Sequence, residues 1–365
     1  LPDADRDEAE RRVVALQTML RAGLAVSNAN VSLQIKAGIA LYPAHGVNAS
    51  ELLRCAAIAR DDASHHLGAV GVYVPGQEEA SLKSIRIVGE FPRALQNGDL
   101  WLEFQPKVDC ESLGLTGAEA LVRWHHPEMG RLSPEIFVPA IEQAGGITQL
   151  TRWVIDEAAK TMAAWKASGI DTTMSVNVSA DDLIDDYLPR YLDETIGKHA
   201  IDPARMTLEV TESSMMHDIE NSLDVIGELR RRGFRIAIDD FGTGHSALAQ
   251  LKRLPVDELK IDKSFVMNLS DPRDEAVVRT AIELAHQFGL TAVAEGVEND
   301  ETLTRLRQLG CETAQGFLIS RSLRAGEFLL WARNWSDGRG ADIVSIVETG
   351  QHRPPRSATG GEGRG

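Results

Sequence analysis

Long apolar segments are missing from this chain, and cysteine is scarce in it. No apolar run reaches the roughly 18 residues of a membrane-spanning helix, and no signal peptide opens the sequence. The three cysteines, Cys55, Cys110 and Cys311, are widely separated and form no Cys-x-x-Cys pair. This pattern indicates buried free thiols in a reducing compartment. We therefore expect a cytoplasmic protein, or the cytoplasmic part of a longer protein whose membrane anchor precedes Leu1.

Positive charge is also in short supply. The chain has 38 Lys and Arg against 54 Asp and Glu, which gives a formal net charge of −16. That balance argues against bulk electrostatic binding to DNA or to anionic lipid. An anionic substrate still fits where metal ions offset the local field. The chain is 43% apolar and 25% charged, as ordinary globular proteins are, and its 365 residues allow one to three domains.

The two ends of the chain differ from its middle. Residues 1–76 predict a small α/β unit, and residues 77–98 predict a connecting helix that stops near Asn97-Gly98. Within the unit the apolar spacing predicts, in order, a helix at 6–22, a strand at 31–41, a helix at 49–65 and a strand at 70–74. Residues 338–365 have low complexity, which predicts a disordered tail.

From Leu100 onwards, short apolar segments rich in β-branched residues alternate with helical ones. The predicted strands are 102–108, 117–124, 173–178, 206–210, 235–238, 258–261, 291–294 and 313–318. The predicted helices are 134–144, 148–168, 185–198, 218–232, 246–252, 272–288, 300–309 and 325–335. Eight strands interleaved with helices over about 235 residues predict a (β/α)8 barrel of the TIM type, which usually has ~250 residues. The first strands are the least regularly spaced, and a doubly wound open sheet is the alternative, although no glycine-rich Gly-x-Gly-x-x-Gly turn supports it.

Nearly every predicted barrel strand ends in a carboxylate, a carboxamide or a lysine. The series is Glu119, Asn177, Glu209, Asp239 with Asp240, Lys260 with Asp262, Glu295 and Gln315. Because a barrel gathers its strand ends at one face, these side chains are expected to meet there. So many carboxylates repel one another unless cations offset them, and oxygen ligands without a Cys or His cluster favour Mg²⁺ or Mn²⁺ over zinc. The alternative for any single acid is a solvated loop residue or a helix cap.

The Asp239-Asp240 pair is the hardest of these to explain as structure. It follows the apolar run Ile236-Ala-Ile238 directly, and two adjacent carboxylates gain little unless they bridge two cations. Paired metal ions can activate a water and stabilise the leaving oxygen in phosphodiester hydrolysis. The pair therefore indicates a site for two metal ions at this strand end.

These residues carry a resemblance to a known family. The segment Ala118-Glu-Ala-Leu-Val-Arg-Trp124 contains the Glu-Ala-Leu signature of EAL domains. Further motifs follow in order: Asn177-Val-Ser179, Glu209-Val-Thr-Glu212, Asp239-Asp-Phe-Gly-Thr-Gly244, Lys260-Ile-Asp262, Ala294-Glu-Gly-Val-Glu298 and Gln315-Gly316. The tripeptide alone is worthless as evidence, whereas seven ordered motifs at strand ends are highly specific. The resemblance covers about two thirds of the chain, roughly residues 85–335 with a barrel core from about residue 100.

The resemblance implies a barrel that hydrolyses the bacterial second messenger cyclic di-GMP to linear pGpG with two Mg²⁺ or Mn²⁺ ions. By that resemblance the first metal is held by Glu119, Asn177, Glu209 and Asp239. Asp239, Asp240 and Glu295 hold the second metal or its water. Lys260 lies beside the attacking water and the scissile phosphate, with Gln315 helping to position that site. Arg123 contacts a substrate phosphate, which suits its planar fork of donors, and Glu212 anchors the loop 240–246 from behind. A homodimer through this domain is a further implied partner.

Residues 1–76 resemble the last half of a GGDEF domain, the diguanylate cyclase fold. The matching pieces are Ala37-Gly-Ile-Ala-Leu-Tyr-Pro43, Gly46 and Glu51-Leu-Leu53. The GGDEF signature itself is absent from the sequence, and half a domain cannot hold GTP. We therefore expect a truncated or degenerate regulatory unit and no cyclase activity. The alternative is a generic α/β fragment without a function.

Departures from the EAL pattern are mild and remove no expected ligand. His245 and Ala247 stand where an aromatic residue and a serine are usual, and Ser320-Arg-Ser322 stands where Lys-Pro is usual. Two other functions compete with hydrolysis of cyclic di-GMP. One is a receptor that binds cyclic di-GMP without cleaving it, and the other is an unrelated Mg²⁺-dependent barrel enzyme that stabilises an enolate.

Overall fold

The structure is a computed structural model that describes residues 5–336, apart from positions 23, 27–28, 32, 34, 64–69 and 243–253. The expected tail at 338–365 and the expected helix at 246–252 lie outside the described residues. Contacts divide the chain into two units, one of residues 1–93 with 139–141 and one of the remainder. In the described part no helix combines the length and the apolar character needed to cross a membrane.

The first unit is a small α/β structure. Its helices are α1 (Arg6–Arg21), α2 (Ala49–Asp62) and most of α3 (Gln77–Asn97), and its strands are β1 (Leu24–Val26), β2 (Ala29–Val31), β3 (Ala37–Ile39) and β4 (Val70–Val72). Strands β1 and β2 form an antiparallel hairpin, whereas β3 and β4 pair in parallel around α2. The single strand predicted at 31–41 is wrong, since Val31 ends β2 and Ala37 begins β3.

The second unit is built on a nine-stranded sheet. Its strands are β5 (Leu100–Asp109), β6 (Leu115–His126), β7 (Gly130–Leu132), β8 (Thr173–Val178), β9 (Met206–Thr211), β10 (Arg235–Phe241), β11 (Glu258–Ile261), β12 (Thr291–Ala294) and β13 (Thr313–Gln315). The sheet order is β5-β13-β12-β11-β10-β9-β8-β6-β7, and β5 also pairs with β6. That extra pairing closes eight strands into a barrel, with β7 as a hairpin extension of β6. The predicted TIM-type barrel is thus confirmed, and each of its eight predicted strands is present.

The first barrel strand runs against the others. Strand β5 is antiparallel to both of its neighbours, β6 and β13, while β6 and β8–β13 pair in parallel. A tight turn joins β5 to β6, and its Leu113 has a positive φ of 56°. This reversal explains why the first strands are irregularly spaced in the sequence, because no helix is needed between them.

Helices follow most of the parallel strands, as the periodicity predicts. They are α4 (Pro134–Gln143), α5 (Ile147–Ala167), α6 (Leu188–Lys198), α7 (Glu212–His217), α8 (Ile219–Arg231), α9 (Lys263–Val266), α10 (Pro272–Phe288), α11 (Asp300–Leu309) and α12 (Ala325–Asn334). The short helices α7 and α9 were not predicted, because four to six residues are too few to show a period. Outward-facing strand residues such as Phe104, Val176 and Leu208 are buried and form the layer between barrel and helices.

Gly316 lies where the end of β13 meets the chain after β12. A Cβ atom built there lies 2.1 Å from the Val297 carbonyl oxygen, so the two backbones are too close for any side chain. We predict that Gly316→Ala lowers the free energy of unfolding by about 1–3 kcal/mol, the usual cost of overpacking. The measurement is urea unfolding followed by circular dichroism.

Gly326 in α12 is the matched control, since a Cβ there meets nothing within 4 Å. Gly326→Ala should raise the free energy of unfolding by up to about 1 kcal/mol through helix propensity. Equal stability of the two alanine variants would contradict the close approach at Gly316.

Candidate active site

Lys260 lies at the centre of the carboxyl-end face of the barrel, surrounded by acids. Its ammonium is 2.6 Å from Glu209 Oε2, 2.6 Å from Glu295 Oε1, 3.0 Å from Asp239 Oδ2 and 3.8 Å from Glu119 Oε2. The side chain is 1% exposed. Burial alone lowers the pKa of a lysine, but these four carboxylates outweigh it and raise the pKa well above its ordinary value. Lys260 is therefore a charged, buried lysine. It contacts acids carried by β6, β9, β10 and the residue after β12.

A second buried lysine, Lys107, supports the same cluster from β5. Its ammonium donates to Glu209 Oε1 at 2.6 Å and to Ser175 Oγ at 2.7 Å. Glu209 is consequently held between two ammonium groups, one on each oxygen. Burial raises the pKa of this carboxyl, but Lys107 and Lys260 together lower it to about 2. Glu209 is thus ionised at any physiological pH.

Glu119, at the centre of the Glu-Ala-Leu signature, is fixed by amide groups. Asn177 Nδ2 donates to one of its oxygens at 3.0 Å, and Gln315 Nε2 donates to the other at 2.7 Å. Gln315 Nε2 also donates to Gln105 Oε1 at 3.0 Å. Burial first, and then repulsion by Glu209, raise the pKa of Glu119. Three predicted site residues from three different strands therefore meet directly.

Asp239 and Asp240 occupy a β-bulge at the end of β10. The pairing with β11 gains one extra β10 residue between Ile238 and Phe241, and Asp240 has a positive φ of 56°. A bulge breaks the in–out alternation of a strand, and Asp tolerates this left-handed conformation better than most residues. Two sequence neighbours can therefore lie at one site. Burial, followed by repulsion from Asp239, raises the pKa of Asp240.

Negative charge exceeds positive charge in this cluster. Among the described residues, five acids (Glu119, Glu209, Asp239, Asp240 and Glu295) lie in this cluster, and the ammonium groups in direct contact with them are those of Lys107 and Lys260. Burial raises the pKa of Glu295 to about 8, since repulsion by Asp239 and Glu119 adds to burial and Lys260 offsets them only in part. A divalent cation bound at this cluster would favour the ionised form of Glu295.

The donor chemistry of this cluster fits hard divalent cations. It is rich in carboxylate oxygen, as Mg²⁺ and Mn²⁺ prefer, and the described residues contribute no thiol or imidazole to it. The buried oxygen Oε1 of Gln315 has no hydrogen-bond partner among the described residues. Across those same residues, however, no three Asp, Glu, His or Cys side chains already surround a common point that could hold a metal ion. The acids instead point at Lys260.

The two remaining predicted residues have different surroundings. Arg123, the expected phosphate contact, is ion-paired at 2.8 Å with Glu103 Oε2 near the barrel mouth. Glu212 is buried at the first turn of α7, and its Oε2 has no partner among the described residues. Most of the loop that Glu212 is expected to anchor, including His245, lies outside them. The anchoring role of Glu212 therefore stays a prediction.

Side chains of β5 also contact the site residues, and the motifs at the other strands do not predict this. Glu103, Gln105 and Lys107 alternate along this strand and contact Arg123, Gln315 and Glu209 respectively. Their signal was the alternation of polar and apolar residues in Leu102-Glu-Phe-Gln-Pro-Lys-Val108, which indicates a strand with one polar face. The expectation concerned residues near the carboxyl ends of parallel strands. Strand β5 is antiparallel to its neighbours, so its amino-terminal end lies at the site.

A closed barrel with acids and a lysine at its carboxyl-end face is typical of a metal-assisted enzyme class, and comparisons with known proteins define the family. Residues 88–322 match the family model described as the EAL domain. This chain belongs to the EAL domain family.

Individual relatives agree with that assignment. The chain is 36% identical over 311 residues to the bifunctional diguanylate cyclase/cyclic di-GMP phosphodiesterase MucR of Pseudomonas aeruginosa, covering 83% of this chain and 45% of that protein. The structure of the MucR phosphodiesterase in complex with cyclic di-GMP superposes with a TM-score of 0.64 at 39% identity, covering 67% of this chain and 99% of that one. The EAL enzyme Bd1971, bound to cAMP and cyclic di-GMP, gives a TM-score of 0.66 at 33% identity, covering 69% and 70%. The chain spans about half the length of the curated relatives it matches.

Lys107 offers a test of the charge balance in the cluster. Lys107→Met leaves the buried Glu209 with one ammonium instead of two, and breaking a buried ion pair costs about 3–5 kcal/mol. We predict a loss of that size in the free energy of unfolding, measured by urea titration in EDTA. Lys160→Met is the matched control, because Lys160 pairs with Glu157 at 2.6 Å on the surface. The control should change stability by less than about 1 kcal/mol, and an equally small effect at Lys107 would refute the proposed balance.

Proposed function

We propose that this chain is a phosphodiesterase that hydrolyses cyclic di-GMP to linear pGpG with two Mg²⁺ or Mn²⁺ ions. The observation that supports this most is the contact of Lys260 with Glu119, Glu209, Asp239 and Glu295. These acids come from different strand ends, and each is retained together with Asn177 and Asp240. Loss of metal ligands would mark a domain that binds cyclic di-GMP without cleaving it, and this chain has lost none of the expected ligands.

The metal ions would be held by the oxygen donors of this cluster. Glu119, Asn177, Glu209 and Asp239 are the proposed ligands of one ion, and Asp239, Asp240 and Glu295 those of the other or of its water. When bound, such ions lower the pKa of a coordinated water and stabilise charge on the phosphate oxygens.

The protein side chains position the reactants. In the hydrolysis a water oxygen bonds to phosphorus, the bond from phosphorus to the ribose 3′ oxygen breaks, and that oxygen takes up a proton. Lys260 is buried and charged, which suits an electrostatic role beside the phosphate and the attacking water. Gln315 holds Glu119 through its amide nitrogen and retains a buried oxygen that can accept from a water. Arg123 is the proposed contact of a substrate phosphate.

The amino-terminal unit is proposed as a partial GGDEF-like unit with a regulatory role. Its parallel β3-α2-β4 arrangement is compatible with that fold, and the GGDEF signature needed for cyclase chemistry is absent from the sequence. We expect no synthesis of cyclic di-GMP from GTP by this chain.

Turnover of cyclic di-GMP by the purified chain is the direct test. With Mg²⁺ or Mn²⁺, chromatography should show pGpG, and EDTA should abolish its formation. Ca²⁺ should bind and support little turnover, because it is larger and tolerates irregular coordination. Glu119→Ala should remove activity without changing the melting temperature, since this side chain faces the site. Bound but uncleaved cyclic di-GMP would identify a receptor, and full activity in EDTA would exclude the two-metal proposal.

The Asp240 carboxylate tests where the second metal binds. Asp240→Asn removes one of several mutually repelling charges and keeps a side chain that tolerates the positive φ at this position. We predict a melting temperature in EDTA equal to or above that of the parent. The variant should gain less from added Mg²⁺ and should hydrolyse cyclic di-GMP at least about 100-fold more slowly, the usual scale for losing a charge that acts in the transition state.

A structural aspartate provides the comparison. Asp271 accepts a hydrogen bond from the Arg273 backbone and caps α10, so Asp271→Asn should alter both melts alike and leave turnover unchanged. If Asp240→Asn instead lowers the melting temperature equally with and without Mg²⁺ and turns over normally, then Asp240 is a structural residue and the second metal lies elsewhere.

A further inference from the structure

A group of side chains at the barrel mouth surrounds the guanidinium of Arg123. We refer to Trp101, Glu103, Arg123, Arg131 and Ser322 as the mouth cluster. Glu103 is its hub, because it accepts from Ser322 Oγ at 2.7 Å, Arg123 Nε at 2.8 Å, Arg131 Nη2 at 3.1 Å and Trp101 Nε1 at 3.4 Å. The Glu103 residue is 9% exposed. A buried acid with this many donors is built to hold them in place.

Arg123 is fixed in orientation by three separate bonds. Its Nε donates to Glu103, its Nη1 to the Val122 carbonyl at 3.0 Å and its Nη2 to Ser322 Oγ at 3.0 Å. The Ser322 hydroxyl therefore accepts from Arg123 and donates to Glu103, which closes a ring of hydrogen bonds. A guanidinium has five N–H groups, and contacts with the described residues use one on each nitrogen, so one further donor on each terminal nitrogen is available to another partner.

The register of β5 and β6 places this cluster above the acids. Gln105 lies opposite Glu119, Glu103 opposite Leu121, and Trp101 opposite Arg123. Since alternate residues of a strand share a face, Arg123 lies two levels above Glu119 on the same side of the strand. No hydrogen bond or ion pair joins Glu103 to Lys260 or its carboxylates in the described part of the chain. The direct contacts of Glu103 among the described residues are therefore with groups at the mouth.

We infer that Glu103 and Ser322 are positioning residues that orient Arg123 for a phosphate of the substrate. This inference rests on the proposed function. Glu103 neutralises the charge of Arg123, so binding of the phosphate depends on two directed N–H groups and less on net charge. Orientation of a bound ligand contributes to affinity when the group is already fixed in place, because no side-chain entropy is lost on binding. Both residues should therefore influence KM more than kcat.

Steady-state kinetics on the full chain with Mg²⁺ and cyclic di-GMP test this role. Glu103→Gln keeps the shape and an acceptor oxygen but weakens the hold on Arg123, and we expect KM to rise about tenfold with kcat within about twofold. Ser322→Ala should act in the same direction by about threefold, since it removes one neutral bridge. Arg205→Gln is the control, because Arg205 pairs with Asp171 at 3.2 Å before the amino-terminal ends of β9 and β8, with a side chain that is 43% exposed, and it should leave both constants unchanged.

A double-mutant cycle shows whether the effect passes through Arg123. In an Arg123→Ala background, Glu103→Gln should add no further increase in KM, whereas a merely structural effect would persist. An additive effect, a fall in kcat at constant KM, or an unchanged KM in both single variants would overturn the inference. If Glu103→Gln fails to fold, Ser322→Ala and its cycle with Arg123→Ala still decide it.

Failure of the proposed function is distinguishable from failure of this inference. A parent that neither binds nor cleaves cyclic di-GMP refutes the function. A parent that cleaves it, with variants that leave KM unchanged, refutes only the role of Glu103 and Ser322. If the parent binds cyclic di-GMP without cleaving it, the dissociation constant measured by calorimetry replaces KM. The variants are then expected to raise the dissociation constant by the same factors.

Discussion

Repulsion among buried carboxylates is the constraint on which the rest of this structure depends. A barrel directs its strands to one face, and here that face collects five acids, of which Glu119, Glu209 and Asp239 are buried and Asp240 and Glu295 are half-buried. Burying them is possible because Lys260 reaches four of them and Lys107 holds Glu209 from the other side. The compensation is incomplete, as the raised pKa of Glu295 shows. Like-charge repulsion of this kind costs folding stability, and it is the electrostatic reason for proposing metal ions at this site.

The reversed strand β5 supplies side chains at several depths of the site. Parallel strands present their carboxyl ends at the mouth, and the acids lie on or directly after these strands. Strand β5 enters from the mouth and runs downward, so its alternate residues line the same face at three depths. Glu103 lies opposite Leu121 and contacts Arg123, Gln105 lies opposite Glu119, and Lys107 contacts Glu209. One strand thereby contacts each layer of the site.

The sequence alone is sufficient to predict that the acids of the parallel strands lie close together. Each acid follows apolar residues within or at the end of a predicted strand, and the strands of a barrel converge at one face, so proximity of Glu119, Glu209 and Asp239 follows from the pattern. Three features do not follow. The direction of β5 depends on closure of the whole barrel, the bulge at Asp240 depends on its pairing with β11, and the partner of Arg123 depends on register between distant segments. Local spacing carries no information about pairing with residues 199 positions away.

Charge is also arranged by depth within the second unit. The interior holds acids around two lysines, while arginines lie at the mouth, where Arg123 and Arg131 share Glu103 and Arg324 lies 4.0 Å from the centre of the Trp101 ring. A chain with a net charge of −16 repels an anion at long range. Screening limits that repulsion to roughly 8 Å at physiological ionic strength, so the sign of the nearest charges decides the final approach. At the mouth those nearest charges are guanidinium groups, which is why an acidic protein can present a site to the proposed dianionic substrate.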